Sequence, residues 1–174
     1  MAAYTDGLID DDVLATFAHA AEEQRRIPFL PNLPRRALQD LDRLGRSASE
    51  LPVGDTLVHN ALRPDNVLIA RETGRAWICD WKFLARGPAW ADWAGLLPHL
   101  RYDGLRAEDL LHSSPLSRDA AVESVDAWLA VLTAYMVRSG SEPEVPHSPA
   151  LRNHARFTAR IMVDWLSERR KWAA

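Results

Sequence analysis

At 174 residues, of which 47% are hydrophobic, the chain is long enough to bury one sizeable core, and a single domain spanning 1–174 is the expectation. A net charge of −3, with arginines scattered rather than striped, leaves no electrostatic footprint for nucleic acid, and no stretch approaches the roughly 20 uninterrupted apolar residues of a membrane helix. One cysteine, Cys79, excludes an internal disulfide and any multi-cysteine metal site, while the acidic opening Met1 to Asp12 lacks the basic start and apolar run of a signal peptide; the expected location is the cytoplasm.

The first predicted element is a helix over Asp10 to Arg26, where Val13, Leu14, Phe17, Ala18 and Ala21 form a stripe behind an acidic start that suits a helix amino end. Pro28, Pro31 and Pro34 break it. Leu38, Leu41, Leu44 and Leu51 mark a second amphipathic helix over Leu33 to Leu51, with Pro34 acceptable in its first turn, and Pro52-Val53-Gly54-Asp55 makes a short connection. Three short apolar runs follow, Thr56 to His59, Val67 to Ala70 and Ala76 to Asp80, separated by polar turns, with Gly74 as a tight-turn residue. They read as strands forming a small β hairpin.

Ala89 to Leu100 repeats Trp90, Trp93, Leu96, Leu97 and Leu100 at helical spacing, as core residues. Tyr102-Asp103-Gly104 turns the chain into a short helix over Ala107 to His112, closed by Ser113-Ser114-Pro115. A long helix is predicted over Ser117 to Ser139, stopped by Gly140; a Pro-rich link, Pro143 to Pro149, leads to a last helix over Ala150 to Trp172 that ends in Arg169-Arg170-Lys171. The charged residues of the long helices read as solvated faces. The fold class is therefore α+β and mainly helical, with no internal repeat.

The chemistry concentrates between Leu57 and Trp81. His59, Asn60, Arg63, Asp65, Asn66 and Asp80 gather at strand ends, where loops carry function on a rigid support. A hairpin that presents Asn66 and Asp80 side by side would offer two hard oxygen ligands in one cleft, as Mg²⁺ with phosphate oxygens requires.

The run His59-Asn60-Ala61-Leu62-Arg63-Pro64-Asp65-Asn66, followed by Ile78-Cys79-Asp80-Trp81, resembles the H-G-D-x-x-x-x-N loop and the I-D-W motif of the aminoglycoside phosphotransferase and choline kinase-like family, relatives of protein kinases. Arg86-Gly87-Pro88-Ala89-Trp90-Ala91-Asp92-Trp93 resembles that family's G-x-x-x-x-D helix start. The resemblance implies a kinase-like carboxy-terminal lobe and transfer of the ATP γ-phosphate to a small-molecule hydroxyl acceptor. It also implies Mg²⁺ and nucleotide held through Asn66 and Asp80, a loop organised by His59, and Asp92 bracing the loop backbone.

The departure that bears on the chemistry is Ala61, which stands where the family keeps its catalytic Asp; a methyl group neither accepts a proton nor orients a hydroxyl. A natural degenerate phosphotransferase and an inactivating substitution are both open readings. Only 56 residues precede Leu57, with no lysine and no Gly-rich loop, and the chain's lysines are Lys82 and Lys171. The expectation is a carboxy-terminal lobe with its amino-terminal lobe absent, exposing apolar surface that favours self-association or a partner chain. A second reading is a non-catalytic, pseudokinase-type binding or scaffold module. Among the other residues, Cys79 reads as a buried structural thiol, Arg63 and Asp65 as loop charges or a local pair, and His147 and His154 as surface residues. Glu108, Asp109, Glu123 and Asp126 are candidates for the acceptor site by region only.

Overall fold

The computed structural model describes residues 3–6, 10–23, 25–51, 54–148 and 150–172, and in them the Leu, Ala and Val stripes become helices and the β-branched runs become short strands. In chain order these are α1 (Asp11–Glu22), α2 (Arg35–Ser47), β1 (Thr56–Val58), β2 (Val67–Ile69), β3 (Ala76–Ile78), β4 (Ala85–Gly87), α3 (Trp90–Tyr102), α4 (Ala107–Ser113), α5 (Val122–Ser141) and α6 (Ala150–Arg169). The class is α+β, mostly helical, with small two-stranded sheets. No helix among the described residues is long and apolar enough to cross a membrane. The chain divides into two compact units, Met1–Asp6 with Pro52–Ala120, and Gly7–Leu51 with Ala121–Ala174.

In the helical unit, α1 begins where the Asp10 carboxylate accepts a hydrogen bond from the Val13 amide at 2.7 Å, a side-chain cap for one of the amides left over at a helix start. Helices α1, α2, α5 and α6 pack on one another and bury Phe17, Leu41, Leu44, Trp128, Leu129, Trp165 and Leu166. Helix α5 is apolar nearly all round, the pattern of a helix enclosed by neighbours. It does not stop at Gly140. A Cβ there would lie 2.9 Å from Arg156 Cγ on α6, so the glycine serves the close approach of the two helices, and Arg156 Nε donates to the Gly140 carbonyl at 2.8 Å. The helix also starts later than the spacing suggests, because residues 115–120 are spent in turns and bends, where Ser117 Oγ donates to the Leu111 carbonyl at 2.6 Å.

The carboxy end of α6 corrects the expectation of solvated charged faces. Asp126 is 1% exposed on α5 and pairs with Arg169 Nε at 2.6 Å, itself 4% exposed, and with Arg170 at 3.3 Å. Arg170 also reaches Asp40 at 3.0 Å and Glu123 at 2.7 Å, and Trp172 Nε1 donates to Asp40 at 2.9 Å. Burial raises the Asp40 carboxyl, but the hydrogen bonds from Arg170, Trp172 and Arg43 outweigh it and hold the group below the usual carboxylate range.

In the other unit, β1 pairs antiparallel with β4 (Thr56↔Gly87, Leu57↔Arg86, Val58↔Ala85) and β2 with β3 (Val67↔Ile78, Leu68↔Trp77, Ile69↔Ala76). Strand β4 lies in a stretch without alternating apolar residues and is built from backbone proximity instead. A Cβ on Gly54 would sit 2.5 Å from the Gly87 carbonyl oxygen, and one on Gly87 would sit 2.9 Å from Tyr4 Cγ, so two glycines let three chain segments meet. Tyr4 is buried there, its amide donating to the Arg86 carbonyl at 2.8 Å, and burial pushes its phenol up to about 12. Of the connection Pro52-Val53-Gly54-Asp55, the first two residues lie outside the described residues, as does Pro149 of the Pro-rich link.

Candidate functional site

Strand β1 ends at the buried Val58, and the chain then enters the loop through His59 and Asn60. Asn60 has φ 62, a left-handed conformation that Asn adopts more readily than most residues. In the first turn of α3, one Asp92 carboxylate takes both backbone amides: His59 N donates to Oδ2 at 2.6 Å and Asn60 N to Oδ1 at 2.8 Å. Asn60 Nδ2 donates to the Tyr4 carbonyl at 2.7 Å, tying the loop to the amino-terminal segment.

The hairpin closes the loop from its other side. His59 is 2% exposed, its Nε2 lies 2.7 Å from the Cys79 carbonyl, and its ring rests on Trp81 at 4.8 Å between centroids. A carbonyl only accepts, so Nε2 carries the proton; Nδ1 is buried without a hydrogen-bond partner among the described residues. Asn66 Nδ2 donates to the Ala61 carbonyl at 3.0 Å, and the Cys79 amide donates to the Asn66 carbonyl at 2.9 Å, extending the β2–β3 ladder by one pair. Asp80, one residue further, has φ 63 and an exposed side chain that caps nothing in the turn Trp81–Phe83 it opens.

The structure thus brings His59, Ala61, Asn66, Asp80 and Asp92 to one loop and the hairpin end beside it. The Asn66 amide nitrogen is committed to Ala61, which leaves its oxygen as the atom able to meet a cation. Asp80 supplies an exposed carboxylate, and both are hard oxygen donors. No group of three or more His, Cys, Asp and Glu able to hold a metal ion occurs among the described residues. A divalent ion here would rest on this carboxylate and carboxamide, with phosphate oxygens and water completing its shell, a donor set that fits Mg²⁺. The Ala61 methyl offers neither base nor ligand.

The other expected residues take other parts. Cys79 is half-buried rather than buried, its Sγ 3.4 Å from the Asn66 carbonyl. Arg63 and Asp65 form a local pair at 2.9 Å. Glu108 and Asp109 sit on α4 beside His112 and Arg106, while Glu123 and Asp126 are held by Arg170 and Arg169. None of these four belongs to the loop. Sequence reading placed Asn60 in the loop without its part in holding the backbone, and it missed Tyr4. The tolerance of Asn for left-handed backbone is a local signal for the first, whereas the Tyr4 carbonyl has none.

The Asp92 brace carries a measurable load. Asp92→Ala leaves two loop amides without their acceptor and should cost about 2–4 kcal/mol, roughly 5–15 °C in Tm, as read by thermal unfolding. Burial pushes the Asp92 carboxyl up from its ordinary value, against the pull of the two amides and of His59. The folded chain therefore holds this proton more tightly than the unfolded chain does. Ionisation of Asp92 erodes stability as pH rises from about 4 through the raised pKa, and that contribution to the pH slope should vanish in Asp92→Asn.

No family model matches this chain, and no curated protein or solved structure shows detectable similarity to it.

Proposed function

We propose that the loop from His59 to Asn66, with Asp80, is the metal and nucleotide site of a kinase-like carboxy-terminal lobe of the aminoglycoside phosphotransferase and choline kinase-like type, active on ATP and a small-molecule hydroxyl in the cytoplasm. The observation that carries this reading is the Asp92 carboxylate holding the amides of His59 and Asn60 at 2.6 and 2.8 Å across 33 and 32 residues of sequence. A loop fixed at its backbone by a distant helix is a loop whose side chains are pre-positioned for chemistry. Asn66 and Asp80 are the residues that would hold Mg²⁺, which when bound neutralises phosphate charge. His59 shapes the loop through Cys79 and moves no proton.

Ala61 sets the level of activity. Without a base at this position, turnover falls by about a hundredfold to ten-thousandfold relative to an Asp-bearing loop. The same methyl favours the second reading, a pseudokinase-type module that binds nucleotide or a partner without turnover. Both readings share the nucleotide site, which thermal unfolding with and without Mg²⁺ and ATP tests. At about a hundred times its Kd, ATP should add roughly 2.7 kcal/mol, about 5–10 °C, only with Mg²⁺ and not in Asp80→Ala. An unchanged Tm in all conditions removes the enzyme reading and leaves a scaffold module that binds a partner without nucleotide.

A further inference from the structure

Between α1 and α2 the chain runs from Arg25-Arg26 to Arg35-Arg36 through Pro28, Pro31 and Pro34. Prolines at every third position keep the segment out of a helix, so it arches from the end of one helix to the start of the next. The Arg25 amide donates to the Ala20 carbonyl and the Leu30 amide to the Ile27 carbonyl, both at 3.0 Å, and Leu30 is buried. Between the arch and the helices lies a cavity of about 240 Å³, formed wholly within the helical unit.

The cavity has two kinds of wall. Ala21 on α1, Leu30 and Leu38 on α2 are apolar and buried. Arg25, Arg26 and Arg35 line it as well, and all three are exposed, so apolar stems meet the cavity while charged ends reach water at its mouth. No Asp or Glu lines it. Arg25 lies 3.6 Å from Glu23, an exposed pair of little strength, and the Arg26 and Arg35 side chains have no hydrogen-bond or ion-pair partner among the described residues. A larger hollow of about 900 Å³ beyond Arg25, Arg26 and Ile27 differs in this respect. Its other arginines are answered by acids, Arg138 by Asp10 and Arg156 by Glu144. In a chain of net charge −3, uncompensated positive charge therefore gathers at the smaller cavity.

We infer that this cavity binds a small organic carboxylate, its charged end held by Arg26 and Arg35 and its apolar body lying against Ala21, Leu30 and Leu38. A guanidinium presents paired donors in a planar fork that matches a carboxylate, and an anion among three cations relieves their mutual repulsion. The volume sets the size of the ligand: at about 30 Å³ for each water-sized group, the cavity holds about eight, one for the carboxyl carbon and the rest for the body. An inorganic anion would leave the apolar wall unfilled, and a neutral apolar molecule would leave the arginines unanswered. The inference stands independently of the nucleotide site, whose residues belong to the other unit.

Calorimetric titration of octanoate into the full chain at low salt tests it, with octanol as the same body without the charge and inorganic phosphate as a charge without the body. Octanoate should bind saturably at one site, and both comparison ligands at least about tenfold more weakly. Arg26→Gln with Arg35→Gln should weaken octanoate about tenfold or more, with an unchanged Tm, because both side chains are exposed and hold nothing in the fold. Arg138→Gln, in the larger hollow, should leave octanoate affinity as it was. The inference is overturned if octanoate shows no saturable binding at millimolar concentrations, or if the double variant binds it as tightly as the original chain. Octanol or phosphate bound as tightly as octanoate overturns it equally, and so does an Arg138→Gln chain that loses octanoate as fully as the double variant.

Discussion

Replacing Ala61 with Asp is expected to raise ATP-dependent phosphorylation of a small-molecule hydroxyl by about a hundredfold to ten-thousandfold over the unchanged chain. The size follows from what the loop already has and what it lacks. The Ala61 carbonyl is fixed by Asn66 Nδ2, and the amides two and one residues before it by Asp92, so a carboxylate introduced at position 61 inherits a backbone that is already positioned. The gain comes from accepting the hydroxyl proton as the oxygen attacks, a contribution that no other loop residue makes: Asp65 is engaged with Arg63, and His59 is buried against Cys79 and Trp81. The assay offers a mixture of aminoglycosides and amino alcohols and measures transferred phosphate. Adding Asp80→Ala to Ala61→Asp should abolish the gain. A well-folded Ala61→Asp protein with no turnover on any acceptor leaves only the binding-module reading.

The largest stability effect is expected far from that loop in sequence, at Asp126. Its carboxylate is 1% exposed and faces Arg169, which is 4% exposed and also lies over the Trp165 ring at 5.0 Å. Asp126→Ala leaves a guanidinium out of water without its counter-charge, a change that costs about 3–5 kcal/mol, or roughly 10–15 °C in Tm. Removing both charges together is different, because two apolar side chains of similar volume need no desolvation to be offset. Asp126→Leu with Arg169→Met should therefore recover most of the loss. If the single variant melts within about 1 kcal/mol of the original, the pair is not the buried element that its exposure indicates.

The sequence was most legible where apolar spacing alone decides structure. The stripes of α1, α2, α3 and α6 and the three runs of the hairpin region appear within a few residues of their expected places, because burial of one face selects helix or strand locally. Strand β4 was not legible, since Ala85-Arg86-Gly87 has no alternation and pairs with β1 only because Gly54 and Gly87 allow close contact. Gly140 misled for the same reason in reverse: a glycine that reads as a stop is retained for helix packing against Arg156. In the site, His59, Asn66 and Asp80 could be picked out by residue type and spacing. Their geometry could not, because the left-handed backbone at Asn60 and Asp80 and the Tyr4 carbonyl contact depend on segments far apart in the chain. The burial of Asp126 was hidden too, since an acid on a long helix looks solvated until a basic partner from another helix covers it.

The most direct test of the central claim is calorimetric titration of ATP into the purified chain, first in Mg²⁺ and then with the metal chelated, for the original sequence and for Asp80→Ala. Asp80 is the suitable residue because its side chain is exposed and caps nothing, so its removal costs only about 1–2 kcal/mol for Ala in the left-handed backbone there. Saturable binding that requires Mg²⁺ and weakens about tenfold or more in the variant is expected. ATP bound equally well without metal and in Asp80→Ala would contradict it.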